Sequence, residues 1–445
     1  EGAARSQLVW VFFTDKGVRP QTRLAEARAS LTPRALSRRA LRGRTHGVGT
    51  LDLPLVRSYV DAVSSGVLRV RHESRWFNAV SVEATGEQVE ALARLPFVER
   101  LDLVGRYQRR EEPLDDRASS ASIARPAEPH ALDYGTSLGQ VAQINVPAVH
   151  DLGLHGEGTV IALFDAGFNN LAHQVFAPMT ILATHDFVNG DDDVGDGADM
   201  GEGSHGTATL SVIGGYRPGE LIGPAYAAAF ILAKTENTAS ETPVEEDNWA
   251  AAAEWAEAMG VDVISSSLGY LVFDRPFTSY TFMDMNGQTA ISTRAADLAA
   301  SLGVVVVNSA GNEGFNPDHN TLGAPADGRA VIAVGAVDFG GRRASFSSVG
   351  PSADGRVKPD VAAQGVAVKV ARSTSTSGYA GSSGTSFSCP LTAGVAALVL
   401  QAHPFYSVEQ VISVMRETAS NAGSPDNLLG WGIVNALAAV QAPAP

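Results

Sequence analysis

A chain of 445 residues is long enough for two or three domains, one of them with a large core. With 44% apolar and 18% charged residues it reads as an ordinary globular protein, and its net charge of −15 argues against a nucleic-acid or anionic-membrane binder. The charge is unevenly divided: residues 1–112 carry 19 Lys and Arg against 13 Asp and Glu, and the remainder carries 14 against 35. A basic N-terminal piece and an acidic body attract each other. The single cysteine, Cys389, excludes an intramolecular disulfide and a cysteine metal cluster. No stretch reads as long and apolar enough to span a bilayer, and the opening "EGAARSQ" lacks a signal-type apolar core, so an export signal is expected to lie outside this chain.

In chain order, "LVWVFF" (8–13) predicts a strand, and residues 24–43 a helical stretch interrupted or restarted at Pro33. "VLRVRHESRWFNAVSVEA" (67–84) contains two alternating runs suited to paired strands. Thr85 is a plausible cap for a helix with Val89, Leu92 and Leu95 on one face, and "VERLDLVG" closes as a strand. The order β-α-β-β-α-β predicts a small ferredoxin-like α+β module over 1–106. Residues 107–131 are charged, aperiodic and rich in Pro and Ser, hence an exposed linker. From 132 to 445, apolar runs at 159–164, 228–233, 261–265, 303–307 and 330–337 alternate with helical stretches ending at Gly260 and Gly303. Runs this continuously apolar suit a mostly parallel sheet covered on both faces, a doubly wound α/β domain.

Four residues sit where such a fold places chemistry. Asp165 directly follows the strand "VIALF"; alone, it reads as a turn cap. His205 lies between Gly203 and Gly206 at the start of a helical run, and alone is as well read as a surface histidine. Asn312 follows "VVVV", where a plain turn is the simpler reading. Ser386 belongs to "SSGTSFSCPLTAGVAALVL" (382–400), a cluster of small polar residues leading into an apolar helix, with Pro390 expected in the helix's first turn. One cap needs one hydroxyl; a surplus mounted on a buried helix suggests a nucleophile near unpaired N–H groups. Asp, then His, then Ser is a known chain order for a catalytic triad.

The segments "IALFDAGF", "SHGTATLSVIGG", "NSAGNEG" and "SSGTSFSCPLTAG" together resemble the subtilisin-like serine proteases (subtilases), and the resemblance extends over about 135–440. It implies a subtilisin-like catalytic domain with Asp165, His205 and Ser386 as triad and Asn312 in the oxyanion hole. It also implies that the N-terminal module is a propeptide, a folding chaperone and inhibitor, removed by cleavage within 105–135. "WVFFTDKG", "LSRRAL" and "SRWFNAVSVEA" resemble a bacterial secreted subgroup, implying secretion. "SSSLGY" (265–270) is similar to the edge on which the family lays its polypeptide substrate, with Ser267, Leu268 and Gly269 pairing to its backbone. Ala310, Gly311 and Gly323 would wall a roomy P1 pocket, with Glu313 at its rim. No cofactor is implied for catalysis. Structural calcium is common in the family, and the acidic stretch 189–203 has the density but not the spacing of an EF-hand loop. Ala166 stands where many subtilases have Ser or Thr, removing one side-chain bond to Asp165, and Ala208 where another His is frequent. A catalytically silent peptide-binding scaffold is the alternative, and the four filled positions count against it. An α/β-hydrolase esterase is disfavoured by the chain order and the missing G-x-S-x-G elbow.

Overall fold

The computed structural model describes residues 6–17, 23–42, 47–103, 130–195, 203–237, 244–272 and 279–445, with residues 114–115 described by backbone alone. The linker expected over 107–131 and the processing region within 105–135 lie mostly outside these residues.

The N-terminal part runs β1 (Ser6–Phe13), α1 (Leu24–Ala29), α2 (Pro33–Arg42), α3 (Arg57–Ser64), β2 (Arg69–Ser74), β3 (Ala79–Thr85), α4 (Gly86–Leu92) and β4 (Val98–Leu103). Pro33 opens α2, where its missing N–H is harmless. Thr85 caps α4 in a reciprocal box with Gln88. The antiparallel sheet has the order β2-β3-β1-β4, the expected ferredoxin-like arrangement, with three helices in the first crossover where the sequence pattern marked one helical stretch. Alternation along β1 gives the sheet two buried faces. Val9, Val11 and Phe13 pack with Val60, Val63 and Leu92 of its own helices, and Trp10 and Phe12 share a core with the large domain.

The chain continues through β5 (Leu114–Asp115), α5 (Leu138–Ala142), α6 (Val146–His150), β6 (Val160–Asp165), β7 (Thr180–Asp186), α7 (Ser204–Gly214), β8 (Tyr216–Arg217), β9 (Leu221–Ile222), β10 (Ala229–Lys234), α8 (Val244–Met259), β11 (Val263–Ser266) and α9 (Ile291–Ser301). Then come β12 (Val305–Ser309), β13 (Val331–Val337), β14 (Val361–Gln364), β15 (Val368–Ala371), β16 (Tyr379–Ser382), α10 (Thr385–Ala402), α11 (Val408–Glu417) and α12 (Ala436–Gln441). A seven-stranded parallel sheet has the order β14-β13-β12-β11-β6-β10-β7. The five expected strands form its middle, and β7 and β14 are edge strands that the apolar pattern did not mark.

Along β6, Ile161 and Leu163 face the core holding α7 and α10, and Ala162 and Phe164 face the core holding α8 and α9. This two-sided burial explains why the strand has no polar alternation. The strand order reverses at β6, so its carboxyl end and that of β11 open onto one crevice. Helix α10 reaches bilayer-spanning length with mean hydropathy 1.3, contrary to the reading above, yet 89% of it is buried as the post of this core.

The charge asymmetry is realised as a buried contact between α2 and α8. Arg39 donates to Glu257 at 2.6 and 2.7 Å and to Asp52 at 2.8 Å, and Arg38 pairs with the same Glu257. Gly260, which ends α8 at φ +91°, lies so close to α2 that a Cβ there would meet the Ala35 nitrogen at 2.7 Å. Farther along α8, Asp247 accepts from Trp10 Nε1 at 2.6 Å and from Ser81, while Arg71 stands 3.6 Å away. Burial pushes its carboxyl up to about 7, against the pull of Arg71 and those hydrogen bonds. A carboxyl raised in this way contributes stability that is full below the ordinary carboxylate range and lost as pH rises through about 7. Asp247→Asn is therefore expected to gain in Tm relative to the wild-type full chain as pH rises from about 5 to about 8; parallel curves would contradict this account.

Candidate active site

Asp165 is the last residue of β6 and is 1% exposed. Its Oδ1 lies 2.6 Å from His205 Nδ1 and accepts the Ala166 N–H at 2.8 Å. His205 is the second residue of α7, and beside a carboxylate its Nδ1 carries the proton. The approach is close because of Gly206, where a Cβ would sit 2.1 Å from the Gly167 carbonyl oxygen. Thr209, one turn further along α7, donates its hydroxyl to the other oxygen of Asp165 at 2.9 Å. The imidazole faces the Phe387 ring, 5.8 Å between centroids, which places it beside the tip of α10.

Ser386 is the second residue of α10 and is 4% exposed. Pro390 lies inside the helix, not in its first turn. A proline there has no N–H for the carbonyl four residues back, which is that of Ser386. Ser267 Oγ takes that carbonyl instead, at 2.8 Å, and the Ser386 hydroxyl donates to the Ser267 carbonyl at 3.3 Å. The exception to helix regularity thus ties the Ser386 backbone to the end of β11. Asn312 caps the helix: its Oδ1 accepts from Thr385 N and Thr385 Oγ1, both at 2.9 Å. That network assigns the oxygen to the helix side and the amide Nδ2 to the opposite end. Asp165, His205, Ser386 and Asn312 are therefore gathered at one end of the sheet.

Ser267, Leu268 and Gly269 follow β11 as an extended segment facing Gly323; Tyr270 and Ala324 exchange backbone bonds at 2.9 Å on the next rung. The Leu268 carbonyl turns inward and accepts from Asn308 Nδ2 at 2.9 Å and Ser309 Oγ at 3.3 Å, and its side chain is buried. Ser267 and Gly269 are left as the outward rungs, by the alternation of an extended chain. Gly311 binds Thr385 Oγ1 through its N–H at 3.3 Å, Ala310 accepts from Gly323 N at 3.2 Å, and Glu313 N donates to Ser348 Oγ at 3.1 Å. These contacts hold Gly311 against Thr385, the residue before Ser386, tie Ala310 to Gly323, and fix Glu313 on Ser348.

Sequence reasoning missed Thr209, Thr385 and the Ser267 hydroxyl. The signal for Thr209 was its spacing, four residues after His205 on one helix face. In the described part of the acidic stretch the carboxylates have protein partners: Asp191 accepts from Asp193 N, Asp192 lies against His185 Nδ1 and Asp193 accepts from Gly195 N, each at 3.0 Å. Among the described residues no three His, Cys, Asp or Glu are grouped to hold a metal.

A buried carboxylate on an imidazole, beside a serine hydroxyl at a helix tip and across a parallel-sheet crevice, defines a serine hydrolase. Comparison with known proteins gives the family. Residues 156–432 match the model of the subtilase family, and residues 8–119 that of the peptidase S8 propeptide domain of Bacteroidota. Subtilisin NAT of Bacillus subtilis subsp. natto is 32% identical over 336 residues, 74% of this chain and 79% of that protein. Subtilisin of Bacillus pumilus is 33% identical over 304 residues, 68% and 98% respectively. Among solved structures, fervidolysin from Fervidobacterium pennivorans, described as a keratinolytic enzyme related to subtilisin, superposes with a TM-score of 0.71 at 22% identity, over all of this chain and 62% of that one. The chain belongs to the subtilase family and is a serine endopeptidase that carries a propeptide domain.

Cys389, one turn after Ser386, is no second nucleophile. It is buried against the Ser266 and Val307 carbonyls, and burial pushes its thiol up to about 12. A thiol reagent at about pH 8 is expected to label Cys389 only after unfolding; stoichiometric labelling of the native protein, read by mass, would contradict this burial.

Proposed function

We propose that the protein is a secreted endopeptidase made as a self-inhibited precursor, with residues 1–106 as the inhibitory propeptide, 107–131 as linker and 132–445 as catalytic domain. Cleavage within 105–135 separates the two. Secretion rests on the family alone; self-inhibition is supported by the buried contact between α2 and α8. The observation that carries the catalytic reading is the Asp165–His205 bond of 2.6 Å next to the helix tip that bears Ser386. A silent peptide-binding scaffold has no use for a buried carboxylate that orients an imidazole.

In this reading His205 Nε2 takes the Ser386 proton as Oγ attacks the scissile carbonyl, and returns it to the leaving amine as the C–N bond breaks. Water repeats the sequence on the acyl-enzyme. Asp165 fixes the Nδ1–H tautomer and stabilises the imidazolium. The Asn312 Nδ2 donor and the Ser386 N–H hold the oxyanion, a role favoured by Thr385, which occupies the other end of the Asn312 amide. The substrate adds as a strand against Ser267 and Gly269, with Leu268 between them anchored in the core.

A fluorophosphonate probe is expected to label Ser386 and no other serine in the matured protein, located by peptide mass. Asn312→Ala should still fold, at a cost of about 1–2 kcal/mol for the lost cap on Thr385, and lose about 3–4 kcal/mol of transition-state stabilisation, a drop in kcat of two to three orders of magnitude; near-full turnover would remove Asn312 from the oxyanion hole. Ala310, Gly311 and Gly323 are small, so a P1 library should favour large apolar or aromatic residues, and a strict preference for Ala or Gly would refute the roomy pocket.

A further inference from the structure

We infer that Thr209 is a positioning residue for catalysis, the group that fixes the rotation of the Asp165 carboxylate and through it the aim of His205. The inference rests on the triad reading above. The terminal torsion of an aspartate is soft and roughly two-fold, so a carboxylate anchored at one oxygen pivots about that anchor. In Asp165, Oδ1 receives both His205 Nδ1 at 2.6 Å and Ala166 N at 2.8 Å. Thr209 Oγ1 donates to Oδ2 at 2.9 Å, which supplies an anchor at the other end of the carboxylate.

The hydroxyl has one proton and a competing acceptor, the Gly206 carbonyl at 3.1 Å in its own helix. The longer distance and the neutral acceptor make this the weaker choice; the carboxylate takes the proton. Thr209 is 1% exposed, so water does not replace the hydroxyl when it is removed. His205 and Thr209 are one turn apart on α7, so the same helix delivers the imidazole to one oxygen and the hydroxyl to the other. The side-chain bond expected to be lost at Ala166 is thus supplied from the helix.

Thr209 touches neither substrate nor reacting atoms, so its loss should change kcat and leave KM alone. Thr209→Val keeps the shape and branching and removes the hydroxyl; Thr209→Ser keeps the hydroxyl. The matured enzymes, nicked by an added protease where self-processing is slow, are compared on one peptide substrate beside Ser386→Ala. We expect Thr209→Val to lose about ten- to a hundredfold in kcat with KM within about twofold, and Thr209→Ser to retain near wild-type kcat. The downfield proton resonance of the Asp165–His205 bond should shift or broaden in Thr209→Val and persist in Thr209→Ser. Wild-type kcat in Thr209→Val, or equal losses in Val and Ser, would overturn the inference. Should Thr209→Val fail to fold, Thr209→Ser against Thr209→Ala makes the same comparison of hydroxyl with none. Ser386→Ala separates the two claims: if it is inactive while Thr209→Val is unimpaired, this inference alone falls, and if it is active the triad reading falls.

Discussion

The site depends on one constraint: the N-terminal turn of a helix buried on all sides must find partners for its backbone without water. Apolar from Leu391 to Leu400 but for Thr392, α10 offers its solvent-poor tip to three neighbours. Asn312 caps the first N–H, Ser267 takes the carbonyl that Pro390 leaves unbonded, and Thr385 links Asn312 to Gly311. Asn312 and Gly311 come from the loop after β12, and Ser267 from the segment after β11. Satisfying the helix therefore aligns the ends of β11 and β12 around Ser386, and the polar groups needed for stability are those that the proposed chemistry uses.

The opposite wall obeys the same logic on α7. A carboxylate taken into the core at the end of β6 has to be hydrogen-bonded on both oxygens or lose its charge. His205, Ala166 and Thr209 meet that demand, and in doing so they hold the imidazole toward α10. The strand reversal at β6 brings the two walls together. The N-terminal domain uses a third set of buried charges, on α8, remote in sequence from the triad. Its docking is thus tuned by Arg38, Arg39 and Asp247 with no change to the catalytic groups.

Much of this was legible in the residues. Strands buried on both faces, such as "VIALF", announce themselves by unbroken apolar runs, and the order of Asp165, His205 and Ser386 carries its own meaning. β7 and β14 were illegible because β7 mixes exposed and buried residues and β14, VAAQ, has a single β-branched residue to mark it as a strand. Pro390 was expected in the first turn because local chemistry favours it there; a bond from Ser267 to the carbonyl of Ser386, 119 residues further on, lets it sit deeper. Total charge exposed the attraction between the two parts but not its burial, since no count distinguishes a solvated glutamate from Glu257 between two guanidiniums. Thr209 went unmarked because its spacing from His205 acquires meaning only once the carboxylate it faces is known.

In the proposed function Ser386 is the nucleophile of an enzyme that releases itself. Intact mass followed over time, for the purified 445-residue chain beside Ser386→Ala, tests it most directly. The wild type is expected to cut itself within 105–135 while Ser386→Ala stays whole. Equal cutting of both chains, in the absence of any added protease, would contradict it.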